Sequence, residues 1–135
     1  MLSIKDLTQR IIDFRDKREW KKYHTPKNLA ISLVIEVGEL LEHFQWKSDE
    51  EILKDTKVPE KREQLADELA DVAIYTFLLA NELDVDLEEA ILRKLEKNER
   101  KYPVELVRGK YKKYTELVKD DGDSGGYFKT SSGRN

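Results

Sequence analysis

The sequence predicts an all-α fold: a helical bundle of four main helices that is completed by oligomerisation. Three observations carry this reading. Apolar residues recur at spacings of three and four among a charged fraction of 39 %, the period of amphipathic helices. Only three prolines and six glycines interrupt the 135 residues, so long helices can run unbroken. The third long segment is also apolar around so much of its circumference that two amphipathic neighbours from the same chain cannot cover it.

The first helix is predicted over Ser3 to Trp20, with Ile4, Leu7, Ile11 and Phe14 at helical spacing and Ser3 or an adjacent residue as its cap. Lys21 to Thr25 is a short connection. Thr25 followed by Pro26 combines a good N-cap with proline at the first helical position, opening a second helix to about Trp46. Ser48 with Glu51 has the spacing of a capping box for a short helical turn ending near Lys54. Pro59 opens the third long helix, to about Leu83, and Asp86 with Glu89 opens a fourth, to about Lys101. Tyr102-Pro103 stops it. Val104 to Val118 is basic and Tyr-rich and reads as an extended wrap with one helical turn, glued onto the bundle by Tyr102, Tyr111 and Tyr114. The chain from Asp120 onward is rich in Gly and Ser and reads as disordered. One domain, residues 1–118, and a tail, residues 119–135, follow.

Composition excludes several classes. A net charge of −3, with both signs interspersed, leaves no footprint for a nucleic-acid polymer or a membrane surface. The absence of cysteine excludes disulfides and thiolate metal sites. No apolar run approaches a membrane span or a leader h-region, so a cytoplasmic protein is expected.

Two acid pairs stand where a core is expected. Glu36 with Glu39, and Glu68 with Asp71, each place two carboxylates on one helix face. With 28 acidic residues in the chain, such spacing arises by chance, as at Glu60 and Glu63. Context separates the two pairs from that background. Glu36 lies on the stripe Leu29–Leu33–Glu36–Leu40, and Glu68 on Leu65–Glu68–Val72–Leu79, the faces that should turn inward. A buried, unpaired carboxylate costs several kcal/mol or more, and converging acids cannot all stay ionised without positive charge between them. Basic side chains or a divalent cation would supply it. Neither helix carries a basic residue at its centre, and oxygen donors without His or Cys suit Mg²⁺, with Mn²⁺ as a substitute. Carboxylate-held Mg²⁺ commonly takes substrate phosphates as further ligands, which predicts phosphate chemistry.

Other residues are read by the same balance. Arg93, Lys94, Lys97, Arg100 and Lys101 line the fourth helix, with Asn98 one turn after Lys94. By spacing alone a solvated charged face is the stronger reading, and phosphate binding the second. Trp20, Trp46 and Tyr75 sit at helix ends or one turn beyond Asp71. Large aromatics there ordinarily close a bundle, although nucleobases also stack on such rings for roughly 1–3 kcal/mol each. His24 and His43 read as loop or surface residues. Gly38, within a helix at a cost of about 1 kcal/mol relative to Ala, permits another backbone to approach, in a helix crossing or a subunit contact.

With these residues in place the chain resembles the MazG-like all-α nucleotide pyrophosphohydrolases, and within them the dCTP pyrophosphatase branch. The stretches that carry the resemblance are FRDKREWKKYHTPKNLAISLVIEVGELLEHFQWKSD, ELADVAIY and NERKYPVELVRGKYKKYTEL, from Phe14 to Leu117. The resemblance implies Mg²⁺ ligation by Glu36, Glu39, Glu68 and Asp71, with Glu36 or Glu39 as general base. It implies base contacts from Trp20, Trp46 and Tyr75, reversing the ordinary reading of those aromatics, and triphosphate contacts from Lys94 and Asn98. It further implies a nucleoside triphosphate substrate cleaved to monophosphate and pyrophosphate, and a homodimer or homotetramer. One position departs: Ile11 stands where the dCTP branch carries a histidine near the base. Loss of that polar contact predicts looser cytosine selectivity, because hydrogen-bonded discrimination is the strong kind. The rival outside enzymes is a helical oligomerisation or adaptor module whose acids pair with Arg or Lys across an interface. The rival within enzymes is a dUTP- or phosphoribosyl-ATP-type pyrophosphohydrolase.

Overall fold

The computed structural model describes residues 1–109 and Thr115. Every regular element among them is helical. Contacts group the chain into two units, Met1–Ala90 and Ile91–Asn135, and the boundary falls inside the fifth helix. Tyr111, Tyr114 and the Gly/Ser-rich tail lie outside the described residues.

The first unit opens with α1, Ile4–Lys17. Ser3 and Asp6 cap it reciprocally: the Asp6 N–H donates to Ser3 Oγ at 3.1 Å and the Ser3 N–H donates to Asp6 Oδ2 at 2.9 Å. The helix stops three residues short of Trp20. There Glu19 turns left-handed at φ 55°, and Lys21–Tyr23 forms a short 3₁₀ turn. α2, Pro26–Glu42, starts as its sequence dictates, with the Asn28 N–H on Thr25 Oγ1 at 3.2 Å and proline in the first turn. It ends before the expected Trp46, because His43–Trp46 continue as turns rather than helix. α3, Asp49–Asp55, is capped by Ser48, which accepts from the Glu51 N–H at 3.2 Å. α4, Pro59–Glu82, is the longest helix. Asp84, at φ 54°, reverses the chain after it, and Asp86 Oδ1 accepts the Glu89 N–H at 3.1 Å to open α5, Leu87–Lys101.

α2 and α4 form the main packing pair, and α1 also lies against α4. The pair runs antiparallel: the end of α2, His43, reaches Glu68, while the mid-α2 residue Glu36 shares its surroundings with Asp71 and Tyr75, further along α4. The core is thin. Leu29, Leu78 and Ala80 are the buried apolar residues among those described. The inward stripe of α2 is Leu29, Leu33, Glu36 and Leu40, as its period predicts, and that of α4 includes Leu65, Glu68, Val72 and Leu79.

On α1 the expected face is rotated. Leu7 and Phe14 are exposed, and the buried residue is Arg15, 3 % exposed. Arg15 follows Ile4 and Ile11 at spacings of eleven and four, so it extends their stripe, whereas Phe14 turns outward to pack on Trp20 and Arg18. The outer side of α2 is uncovered among the described residues: Ile31, Val34, Ile35 and Leu41 are all at least half exposed. A methyl group built on Gly38 would meet nothing within 4 Å, so this glycine serves no crossing among the described residues. No helix among the described residues is long and apolar enough to cross a membrane.

The described part of the second unit holds the rest of α5, the short helix α6, Val104–Val107, and Thr115, which is helical as well. Gly109, at φ 75°, follows α6 in a conformation that disfavours any side chain.

Candidate active site

The acids gather where α2 and α4 run side by side. Their spacing of three turns each pair toward the neighbouring helix, and the antiparallel pairing brings the pairs opposite one another. Glu36, Glu39 and Glu68 each present a carboxylate oxygen, and these oxygens lie within 4.8 Å of one another. Asp71 stands outside that trio yet close enough for its charge to act on both Glu36 and Glu68. Glu36 Oε2 is buried without a hydrogen-bond partner.

The electrostatics follow from that crowding. Burial, before any other cause, pushes the Glu36 carboxyl up to about 7. The hydrogen bond that its protonated form can make to Glu39 adds to this, as do the charges of Glu39, Asp71 and Glu68. Glu68 is raised in the same direction, by burial first and then by Glu39, while His43 opposes the shift. Tyr75, one turn beyond Asp71, is half-buried, and its phenol is raised by burial and then by Glu36, Asp71 and Glu39. It therefore borders the acids. Carboxylates that hold their protons this tightly form a site short of positive charge, and clustered oxygen donors are the ligand set of hard divalent cations. The residues present fit such an ion.

Sequence reasoning missed one neighbour. His43 Nε2 lies 4.0 Å from Glu68 Oε1. The signal was there to be read, since His43 follows Glu39 by four and continues the acid face of α2 around the helix end.

The remaining candidates are placed as follows. Trp20 begins the 3₁₀ turn and meets the edge of Phe14 with centroids 5.8 Å apart at 75°. Trp46, in the turns after α2, is 86 % exposed. The next residue, Lys47, is ion-paired to Asp55, which also holds Lys61 at 3.0 Å. That pairing ties the Trp46 turn to α3 and the start of α4. Lys94 and Asn98 belong to the second unit, one turn apart on α5, Lys94 exposed and Asn98 half-buried. Ile11 is half-buried on α1.

Comparison with known proteins places the chain in a family. The MazG-like family profile matches residues 31–117. The proteins named dCTP pyrophosphatase 1 from Bos taurus and from Homo sapiens are each 44 % identical to this chain over 115 residues, covering 85 % of it and 68 % of their own length. A pyrophosphatase of known structure from Archaeoglobus fulgidus superimposes with a TM-score of 0.69 at 45 % identity, covering 76 % of this chain and 94 % of the other. An all-helical fold, a family match that begins within α2 and extends beyond α6, and relatives of this identity together mean that the chain belongs to the MazG-like family and, within it, to the dCTP pyrophosphatase branch.

Proposed function

We propose that this protein hydrolyses nucleoside triphosphates to monophosphate and pyrophosphate, with dCTP-like pyrimidine deoxynucleotides as its substrates, in the cytoplasmic nucleotide pool. The observation that carries the reading is the trio of carboxylates from α2 and α4 within 4.8 Å, one of them with a buried, partnerless oxygen. Its setting is a chain whose relatives are named dCTP pyrophosphatase 1.

In this reading Glu36, Glu39, Glu68 and Asp71 hold Mg²⁺, or Mn²⁺ in its place. When bound, the ion would supply positive charge against the substrate phosphates and the charge that develops in the reaction. The chain's own residues do the rest. Glu36 or Glu39 takes the proton of the water that attacks the α-phosphorus. Trp20, Trp46 and Tyr75 stack on and enclose the base, and Lys94 and Asn98 contact the triphosphate. Ile11 offers the base no hydrogen bond, so selectivity rests on stacking and shape, and other pyrimidines compete with cytosine.

The uncovered face of α2 supports a homodimer or homotetramer. Ile31, Val34, Ile35 and Leu41 form a contiguous apolar stripe around Gly38, whose missing side chain admits a partner backbone.

A nucleotide panel tests the activity. Purified protein with Mg²⁺ and each common triphosphate should yield monophosphate and pyrophosphate by chromatography, with dCTP or a close pyrimidine relative fastest and turnover lost with chelator. No hydrolysis of any triphosphate overturns the reading and returns the chain to the adaptor class, and hydrolysis indifferent to chelator overturns the metal assignment.

A further inference from the structure

Arg15 is a charged side chain only 3 % exposed, and the chemistry described so far leaves it no role. Its guanidinium bridges two acids. One terminal nitrogen donates to Glu82 Oε1 at 2.7 Å, and Nε donates to Asp16 Oδ1 at 2.9 Å. Glu82 lies 67 residues on, in the last turn of α4, the helix that carries Glu68, Asp71 and Tyr75. A guanidinium this buried is held in place by its partner, because leaving it unpaired is strongly unfavourable.

The backbone of the same residue reaches the other way. The Arg15 carbonyl accepts the Arg18 N–H at 3.1 Å and the Trp20 N–H at 3.2 Å. The second bond forms because Glu19 adopts φ 55°, a conformation unfavourable for a residue with a side chain, which folds the chain back on the end of α1. Trp20 then rests against the Phe14 edge, and the Arg18 guanidinium sits 3.6 Å above the Phe14 ring and 5.9 Å from Trp20. Trp20 keeps 42 % of its surface exposed, open to a flat ligand.

We propose that the Arg15–Glu82 pair is a positioning device for the substrate base, registering the Trp20 turn against α4 so that the stacking ring and the acid cluster keep a fixed separation. This rests on the reading of Trp20 as a base platform. Arg15 and Glu82 touch no reacting atom and are positioning residues.

A purely structural pair would lower the Tm and leave KM alone; a positioning pair moves KM with kcat nearly unchanged, because stacking on the base serves ground state and transition state alike. The test is steady-state kinetics of the full chain on dCTP with Mg²⁺, for Glu82→Ala, Glu82→Gln and Trp20→Ala, and for Glu82→Ala combined with Trp20→Ala. Misplacing one stacked ring should raise KM about tenfold in Glu82→Ala with kcat within about twofold. Glu82→Gln, which keeps an oxygen for Arg15 to donate to, should stay near the parent value. In the Trp20→Ala background, Glu82→Ala should change KM by less than about twofold, since the two act through one ring. Acrylamide quenching of Trp20, made the sole tryptophan by Trp46→Phe, should rise in Glu82→Ala.

Unchanged KM and quenching in a folded Glu82→Ala, with KM raised in Trp20→Ala, overturns the positioning role alone. The positioning role also falls if the two substitutions act independently in the double variant. Unchanged KM in Trp20→Ala overturns the base-platform reading beneath it. If Glu82→Ala does not fold, Arg15→Lys, which keeps the charge but not the fork of donors, takes its place with the same expected split.

Discussion

At the scale of single residues, Glu36 holds the contradiction on which the site depends. A carboxyl pushed from 4.5 to about 7 binds its proton more tightly in the folded state than in the unfolded one. Its favourable contribution is therefore present at low pH and lost as pH rises from 4.5 through 7. Glu68 acts in the same direction. In chelator, the Tm should accordingly fall across that window, and Glu36→Gln should flatten the fall and melt above the parent protein at pH 8. Added Mg²⁺ should raise the parent Tm at pH 8 and barely move the variant. Thermal melts at several pH values, with and without Mg²⁺, check both signs; a variant less stable at pH 8 in chelator would show that Glu36 is not repelled there. Glu68→Gln and Asp71→Asn should each cut kcat by about two orders of magnitude or more, the scale expected when charge stabilisation at a transition state is removed, while circular dichroism stays helical. Full activity in either variant would remove that residue from the metal set.

At the scale of elements, caps define where helices begin and where the site's side chains fall. Thr25 and Ser48 each accept one first-turn N–H, and their substitution by Ala should cost about 1 kcal/mol each in urea unfolding. The two differ in consequence. Thr25 sits beside His24, whose Nδ1 is buried without a hydrogen-bond partner and whose pKa is lowered by burial and by Arg15. Ser48 opens α3, whose last residue Asp55 clamps Lys47 and Lys61. Thr25→Ala should therefore loosen the Trp20 turn and Ser48→Ala the Trp46 turn, which tryptophan emission can distinguish in single-tryptophan backgrounds.

At the scale of the whole molecule, the exposed apolar side of α2 is what the proposed oligomer would cover. Val34 is 70 % exposed and Leu41 57 %, on the same uncovered side of α2 as Gly38. Val34→Glu or Leu41→Glu should shift the mass measured by light scattering toward the protomer, and activity should fall with it if the partner completes the site. A parent protein that is already monomeric at micromolar concentration would remove the oligomeric reading.

Much of this protein was legible before any tertiary contact. Period and composition specify an all-helical chain; Thr25-Pro26, Ser48 and Pro59 mark helix starts where the structure has them; and acids on the inward stripes of α2 and α4 mark the candidate site, because a carboxylate among leucines needs a reason to be there. Helix ends were less legible. α1 and α2 stop earlier than their apolar pattern suggests, since the stop depends on a left-handed Glu19 and on turns after Glu42 that only local packing selects. The face of α1 was misjudged because Phe14 reads as core in any hydropathy pattern, yet packs outward on Trp20 and Arg18, while an arginine takes the buried place. Partnership across the chain was invisible: that Arg15 would find Glu82, or His43 approach Glu68, depends on which helices lie side by side and in which direction. Sequence alone determined what each helix offers, because period and charge are local properties. Only the tertiary structure decided which offers meet, because distance between residues far apart in the chain is a property of the fold.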